Sequence, residues 1–190
     1  MFKKKCVVNC TRTDKFFYAS LVLVLLVYLL LFQLVSVSGT SMADTLFDGD
    51  YLLMLRSWAV DDFSCGDIIV ASKKTYHNGE LIIKRIIAVE GQVVDIDNVT
   101  GMVYVDGILL EEDYVSALTF PGNEISFPLI VGEDSYFVLG DNRGNSTDSR
   151  SSRIGLVHEN EIKGKIIFLI FPSNHNENMD YRLDRIGYIK

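Results

Sequence analysis

The sequence predicts a mainly β fold: a single N-terminal transmembrane helix followed by an antiparallel β domain. Three observations carry this. Residues 16–37 contain no Asp, Glu, Lys or Arg. Beyond them, short runs rich in Ile, Val, Tyr and Phe recur between Gly, Asp and Asn, the punctuation of antiparallel sheets. One such stretch, GMVYVDGILL, carries Asp106-Gly107 between apolar runs, a hairpin signal.

The charge-free run is 22 residues of mostly Leu and Val, interrupted only by Ser20, Gln33 and Ser36. As a helix it would reach about 33 Å, against a hydrocarbon core of ~30 Å. A buried core helix rarely runs this long without charge. A cleavable signal peptide has a shorter apolar centre, of roughly 7–15 residues. A retained anchor over 16–37 is therefore expected.

The flanks set its direction. Residues 1–15 hold Lys3, Lys4, Lys5, Arg12 and Lys15 against Asp14, whereas Asp44, Asp48 and Asp50 precede the first basic residue after the run, Arg56. The positive-inside rule then puts residues 1–15 in the cytoplasm and the remainder outside the plasma membrane, single-pass. The 190-residue chain has a net charge of −7, all of it and more from the part after the basic N-terminus. An acidic body repels polyphosphate, which argues against nucleic-acid binding. Cys6, Cys10 and Cys65 form neither a disulfide framework nor a zinc spacing.

In the outer part, strands are expected at YLLMLR (51–56), DIIVAS (67–72), LIIKRIIAVE (81–90), QVVDID (92–97), MVYVDG (102–107), SYFVLG (135–140) and KIIFLIF (165–171). HENEIKG (158–164) reads as one short helical turn. No repeat or long linker divides residues 38–172, and the tail 173–190 is polar and gives no structural signal.

Four blocks hold candidate chemistry. SGTSMADTLFDGD (38–50) puts Ser38 and Ser41 directly after the apolar run, but a serine needs a base before it is a nucleophile. In LIIKRIIAVEG (81–91), strand alternation sets Lys84 on one face with Ile82 and Ile86. A lysine among isoleucines is easier to deprotonate because burial disfavours its charge, and that suits a general base. Arg85 points the other way and stays charged. VLGDNRGNSTDSR (138–150) packs Asp141, Asp148, Arg143 and Arg150 into a turn-rich loop around Ser146. CGDIIV (65–70) is a turn into a strand. Taken singly, each block also fits a solvated loop or an edge strand.

Together, in this order and directly after an apolar run, the blocks resemble the bacterial type I signal peptidases, membrane-anchored serine proteases with a serine/lysine dyad. The resemblance extends over about residues 36–172, and GDNRGNSTDSR is its most specific part. It implies Ser41 as nucleophile, Lys84 as general base and Ser146 as the hydroxyl orienting the amine. It implies an oxyanion site at the Ser41 N–H and at Gly39, where some relatives have Ser. Arg85, Asp141, Asp148 and Arg150 are implied as structural charges, with Arg85 a partner of Asp141.

The implied substrates are secretory precursors, cut at the outer membrane surface after small residues of the Ala-x-Ala type, with no metal or other cofactor. The partners are then the precursors and the lipid bilayer. Asp44 stands where the family usually has Pro, which is expected to alter rate or specificity. Without a long insertion or a second apolar run, the sequence looks like the compact Gram-positive form. A Ser–His pairing through His77, His158 or His175 is the competing chemistry. Self-cleaving repressor-type proteases share the dyad but have no anchor, and an anchored assembly factor is the alternative from another class. The sequons at Asn98 and Asn145 are read as coincidental.

Overall fold

In the computed structural model, residues 12–43, 45–173 and 183–189 are described. Lys3–Lys5, Cys6, Cys10, Asp44 and His175 lie outside them. The chain forms two compact units, residues 1–32 and 33–190.

The first unit is a helix, α1 (Arg12–Leu31). Twenty residues span about 30 Å, and Thr13–Leu31 is long and apolar enough to cross a membrane. Its apolar side chains are exposed around the helix, from Phe16 to Leu30. The helix ends six residues before the charge-free run does. Phe32–Ser36 form a strand, β1, and the Val37 N–H donates to the Asp50 carbonyl. The cause is tertiary: β1 finds its hydrogen-bond partners on a neighbouring strand, and Val37 is buried in the second unit's core.

The described part of the second unit is mainly β. Its remaining strands are β2 (Tyr51–Arg56), β3 (Ile68–Ser72), β4 (Leu81–Ala88), β5 (Val93–Ile96), β6 (Val103–Val105) and β7 (Ile108–Leu109). After these come β8 (Leu129–Ile130), β9 (Ser135–Leu139), β10 (Val157–His158), β11 (Ile162–Phe171) and β12 (Gly187–Tyr188). Among the described residues one sheet runs β1-β2-β11-β3-β4-β9-β10, with β12 also on β11, and a smaller one runs β7-β6-β5-β8. All seven strands expected from the sequence are present. The HENEIKG turn is a single 3-10 turn at Glu159–Glu161, after which Ile162–Gly164 already belong to β11.

Asp106 and Gly107 both have positive φ, 53° and 77°, which lets the β6–β7 hairpin close in two residues. The burial of β9 is complete along SYFVL, so it reads as a continuous apolar run and not as an alternation.

The core forms three clusters. One joins Ile69, Ile82, Ile86 and Val138; another joins Val37, Met42, Leu46, Leu52 and Ile166; the third lies beneath the small sheet, around Val94, Phe137 and Leu139. Two details of register shape the site. β3 pairs with β4 along its length, from Ile68↔Arg85 to Ser72↔Leu81. β9 pairs with β4 only from Arg85 to Ala88, so the Leu81–Lys84 half keeps one free edge.

Candidate active site

Ser41 lies in a tight turn, with the Ala43 N–H donating to the Thr40 carbonyl. Met42 and Leu46, both just after it, are buried in the second cluster and hold the turn down. The 140s loop grips it from above: the Asn142 N–H donates to the Ser41 carbonyl, Asn142 Nδ2 to the Thr40 carbonyl and Asn145 Nδ2 to Thr40 Oγ1. The turn is therefore held by one backbone and two side-chain hydrogen bonds from a loop about a hundred residues further along the chain.

Lys84 reaches this turn from β4. It is buried, 4% exposed, on the face it shares with Ile82 and Ile86. Its Nζ donates to Ser41 Oγ at 2.7 Å and to the Ile83 carbonyl at 2.9 Å. Burial disfavours the ammonium and brings its pKa down from 10.5 to about 8; Asp148 and Asp141 oppose that fall and Arg150 adds to it.

Arg85, on the other face of β4, is 1% exposed and forms a two-pronged ion pair with Asp141: Nε to Oδ1 at 2.9 Å, Nη2 to Oδ2 at 2.7 Å. Its Nη1 donates to the Gly66 carbonyl, in the CGDIIV block, and Tyr114 stacks over the guanidinium at 3.9 Å. Thr45 Oγ1 donates to Asp141 Oδ2 at 2.6 Å, so this pair also ties down the serine loop. Asp148 accepts from Arg150 Nε and Nη2 and from the Gly140 N–H.

Two expected contacts are absent. Ser146 Oγ is buried with no hydrogen-bond partner among the described residues, and the amine it was to orient donates to the Ile83 carbonyl. Gly39, at φ 92°, gives its N–H to Asp48 Oδ1 at 2.8 Å. That donor is engaged, whereas the Ser41 N–H donates to no described residue.

Several contacts of the site carry no signal in the sequence. A Cβ on Gly140 would overlap Ser146 Oγ and the Ser41 carbonyl, so the glycine lets two loops touch. Arg143 is buried and donates from both terminal nitrogens to Glu112, with Thr119 Oγ1 at 2.6 Å. Only the glycine's position in a turn was visible locally; Glu112 and Thr119 come from a loop with no periodicity.

The competing histidines lie elsewhere. His77 is exposed in its turn, 3.9 Å from Glu80. His158 Nδ1 is 3.0 Å from Ser135 Oγ, but that hydroxyl donates to the Glu133 carbonyl and the serine is buried on β9.

A groove of about 380 Å³ opens on Ser41 and Lys84, with Val35–Gly39 as one wall and Glu80–Lys84 as the other. A larger cavity of about 580 Å³, lined by Leu118, Phe120, Arg143 and Arg150, contains neither Ser41 nor Lys84.

A buried amine on a serine hydroxyl at the end of an apolar groove is the equipment of amide hydrolysis, and kinship points the same way. A family model described as "Signal peptidase, peptidase S26" matches residues 10–171. The signal peptidase I of Bacillus licheniformis is 33% identical over 171 residues, covering 85% of this chain and 88% of that one. A probable signal peptidase I-1 of Synechocystis is 35% identical over 163 residues, covering 82% and 79%. A crystal structure of a signal peptidase I from Enterococcus faecalis V583 covers 56% of this chain and 97% of its own, at 31% identity and a TM-score of 0.45. With the family model and both relatives matching most of its length, the chain belongs to the S26 signal peptidases and is a serine endopeptidase.

Proposed function

We propose that the chain removes signal peptides from secretory precursors at the outer face of the plasma membrane, cutting after small residues of the Ala-x-Ala type. Ser41 is the nucleophile and Lys84 the general base. α1 is the anchor, with residues 1–15 in the cytoplasm and the β unit outside.

The observation that carries this reading is the hydrogen bond between Lys84 Nζ and Ser41 Oγ with the amine buried. In its neutral form Lys84 takes the Ser41 proton while Oγ forms a bond to the scissile carbonyl carbon. The carbonyl electron pair moves to oxygen, and the Ser41 N–H is the donor placed for it. As the C–N bond breaks, the Lys84 ammonium returns the proton to the departing amine. Water then attacks the acyl ester, Lys84 takes its proton, and Ser41 Oγ leaves as the alcohol.

The groove fits an extended peptide. The Leu81–Lys84 edge is unpaired on one side, which suits strand addition by a substrate. Val35, Val37 and Ile82 line it, and the preference for small residues is carried over from the family likeness. Ser146 fits the role of a second partner for the amine once the Ser41 proton moves, since its hydroxyl is buried beside the turn. Arg85, Asp141, Asp148 and Arg150 hold the loops. Asp44 is outside the described residues, and its effect on specificity stays an expectation from the sequence.

The test is to incubate the detergent-solubilised full chain with a precursor whose signal ends in Ala-x-Ala and locate the new N-terminus by mass spectrometry. Cleavage directly after the last Ala, lost when that Ala is replaced by Leu, is expected. Cleavage elsewhere, or indifference to Leu, contradicts the proposed specificity.

A further inference from the structure

We propose that Arg185, in the polar tail, is a positioning residue for the nucleophile loop. The inference rests on Ser41 being the nucleophile.

The loop from Val37 to Asp50 is closed at its base by two backbone hydrogen bonds, Val37 N–H to the Asp50 carbonyl and Gly49 N–H to the Val37 carbonyl. Asp50 is fully buried beneath it. Its carboxylate accepts from the Phe47 N–H at 2.8 Å, the Ser173 N–H at 2.6 Å, Arg185 Nη2 at 2.5 Å and Arg185 Nη1 at 3.2 Å. Burial alone would raise the Asp50 pKa, but Arg185 and these backbone donors outweigh it and leave the carboxyl below its ordinary value.

Arg185 does more than neutralise. Its Nη2 also donates to the Thr45 carbonyl at 3.3 Å, and its guanidinium lies 4.4 Å over the Phe47 ring. Thr45 is the residue whose hydroxyl holds Asp141, the partner of Arg85 beside Lys84. One cation thus touches the loop at Thr45, Phe47 and Asp50, and Thr45 relays that grip to the strand carrying the base. The residues just after Arg185 are themselves held. β12 pairs with β11 at Phe168↔Tyr188 and Leu169↔Gly187, and Ile189 packs on the cluster containing Met42 and Leu46.

The described residues from Thr40 to Asp50 contain no regular helix or strand, so the shape of this loop depends on such clamps. Freed at Thr45 and Asp50, it would let Ser41 drift from Lys84, and displacements of about 1 Å in reacting groups cost up to ~100-fold in rate.

The test uses the full chain in detergent with the Ala-x-Ala precursor, comparing wild type, Arg185→Ala, Arg185→Lys and Ser41→Ala, with folded fraction measured by near-UV circular dichroism. Per folded molecule, Arg185→Ala is expected to lose about tenfold or more in kcat with KM within about twofold, and Arg185→Lys to lose about threefold. A merely structural role would lower the folded fraction and leave kcat per folded molecule unchanged. Wild-type kcat per folded molecule in either Arg185 variant overturns the proposal, and if Arg185→Ala does not fold, Arg185→Lys decides. Activity remaining in Ser41→Ala would instead remove the premise that Ser41 is the nucleophile.

Discussion

Lys84 Nζ donates to Ser41 Oγ at 2.7 Å, from a side chain buried at the midpoint of β4. In that direction of donation the pair is at rest, because the hydroxyl proton has yet to move. The proposed role of Lys84 as general base needs the neutral amine, and burial is what makes that form accessible. The predictions below follow from that relationship and from the loops that maintain it.

Activity rises with pH. With the Lys84 pKa near 8, roughly a tenth of the molecules hold the neutral amine at pH 7 and most do above pH 9. A profile of kcat/KM against pH is expected to climb through a midpoint near 8. An acid optimum would be incompatible with a lysine base.

Lys84 costs stability where it serves chemistry. Its folded pKa lies below its unfolded one, so the unfolded chain binds more protons between about pH 8 and 10.5, and stability rises with pH across that window. Below it the full penalty of about 3 kcal/mol applies. Lys84→Met is expected to raise the unfolding midpoint at pH 7, with the gain shrinking above pH 8. Urea titrations at pH 7 and pH 10 would show it.

Gly140→Ala is expected to abolish or severely reduce cleavage. The added methyl meets the Ser41 carbonyl and Ser146 Oγ, so one of the two loops must shift. Measuring kcat alongside a thermal melt separates displacement of Ser41 from unfolding.

Asp141→Asn leaves the Arg85 guanidinium buried without its counter-charge. Breaking a buried pair in this way costs about 3–5 kcal/mol, and here it also weakens the hold of Thr45. Denaturant unfolding of the variant is expected to register a loss of that size.

Much of the fold was legible in local signals, whereas Ser41 and Lys84 were singled out as a pair only by the family likeness. Strand alternation set Lys84 with Ile82 and Ile86, and Asp106-Gly107 marked its hairpin. The pairing of Arg85 with Asp141 came from family likeness and is present in the structure. What stayed hidden depends on contacts between distant segments. The conversion of Phe32–Ser36 to strand is decided by pairing with β2, against a local pattern that reads as continuous helix. The Asp50–Arg185 pair joins residues 135 positions apart, and nothing in the tail's composition marks it. The free Ser146 hydroxyl and the engaged Gly39 N–H are matters of a few ångströms, which no spacing rule resolves.

The most direct test of the central claim is a comparison of wild type, Ser41→Ala and Lys84→Ala on one Ala-x-Ala precursor, with His77→Ala and Ser38→Ala as controls. Products would be mapped by mass spectrometry and folding checked for each. The account predicts cleavage after the final Ala by wild type and both controls, and none by the two dyad variants. Cleavage at that bond by folded Ser41→Ala or Lys84→Ala would contradict it.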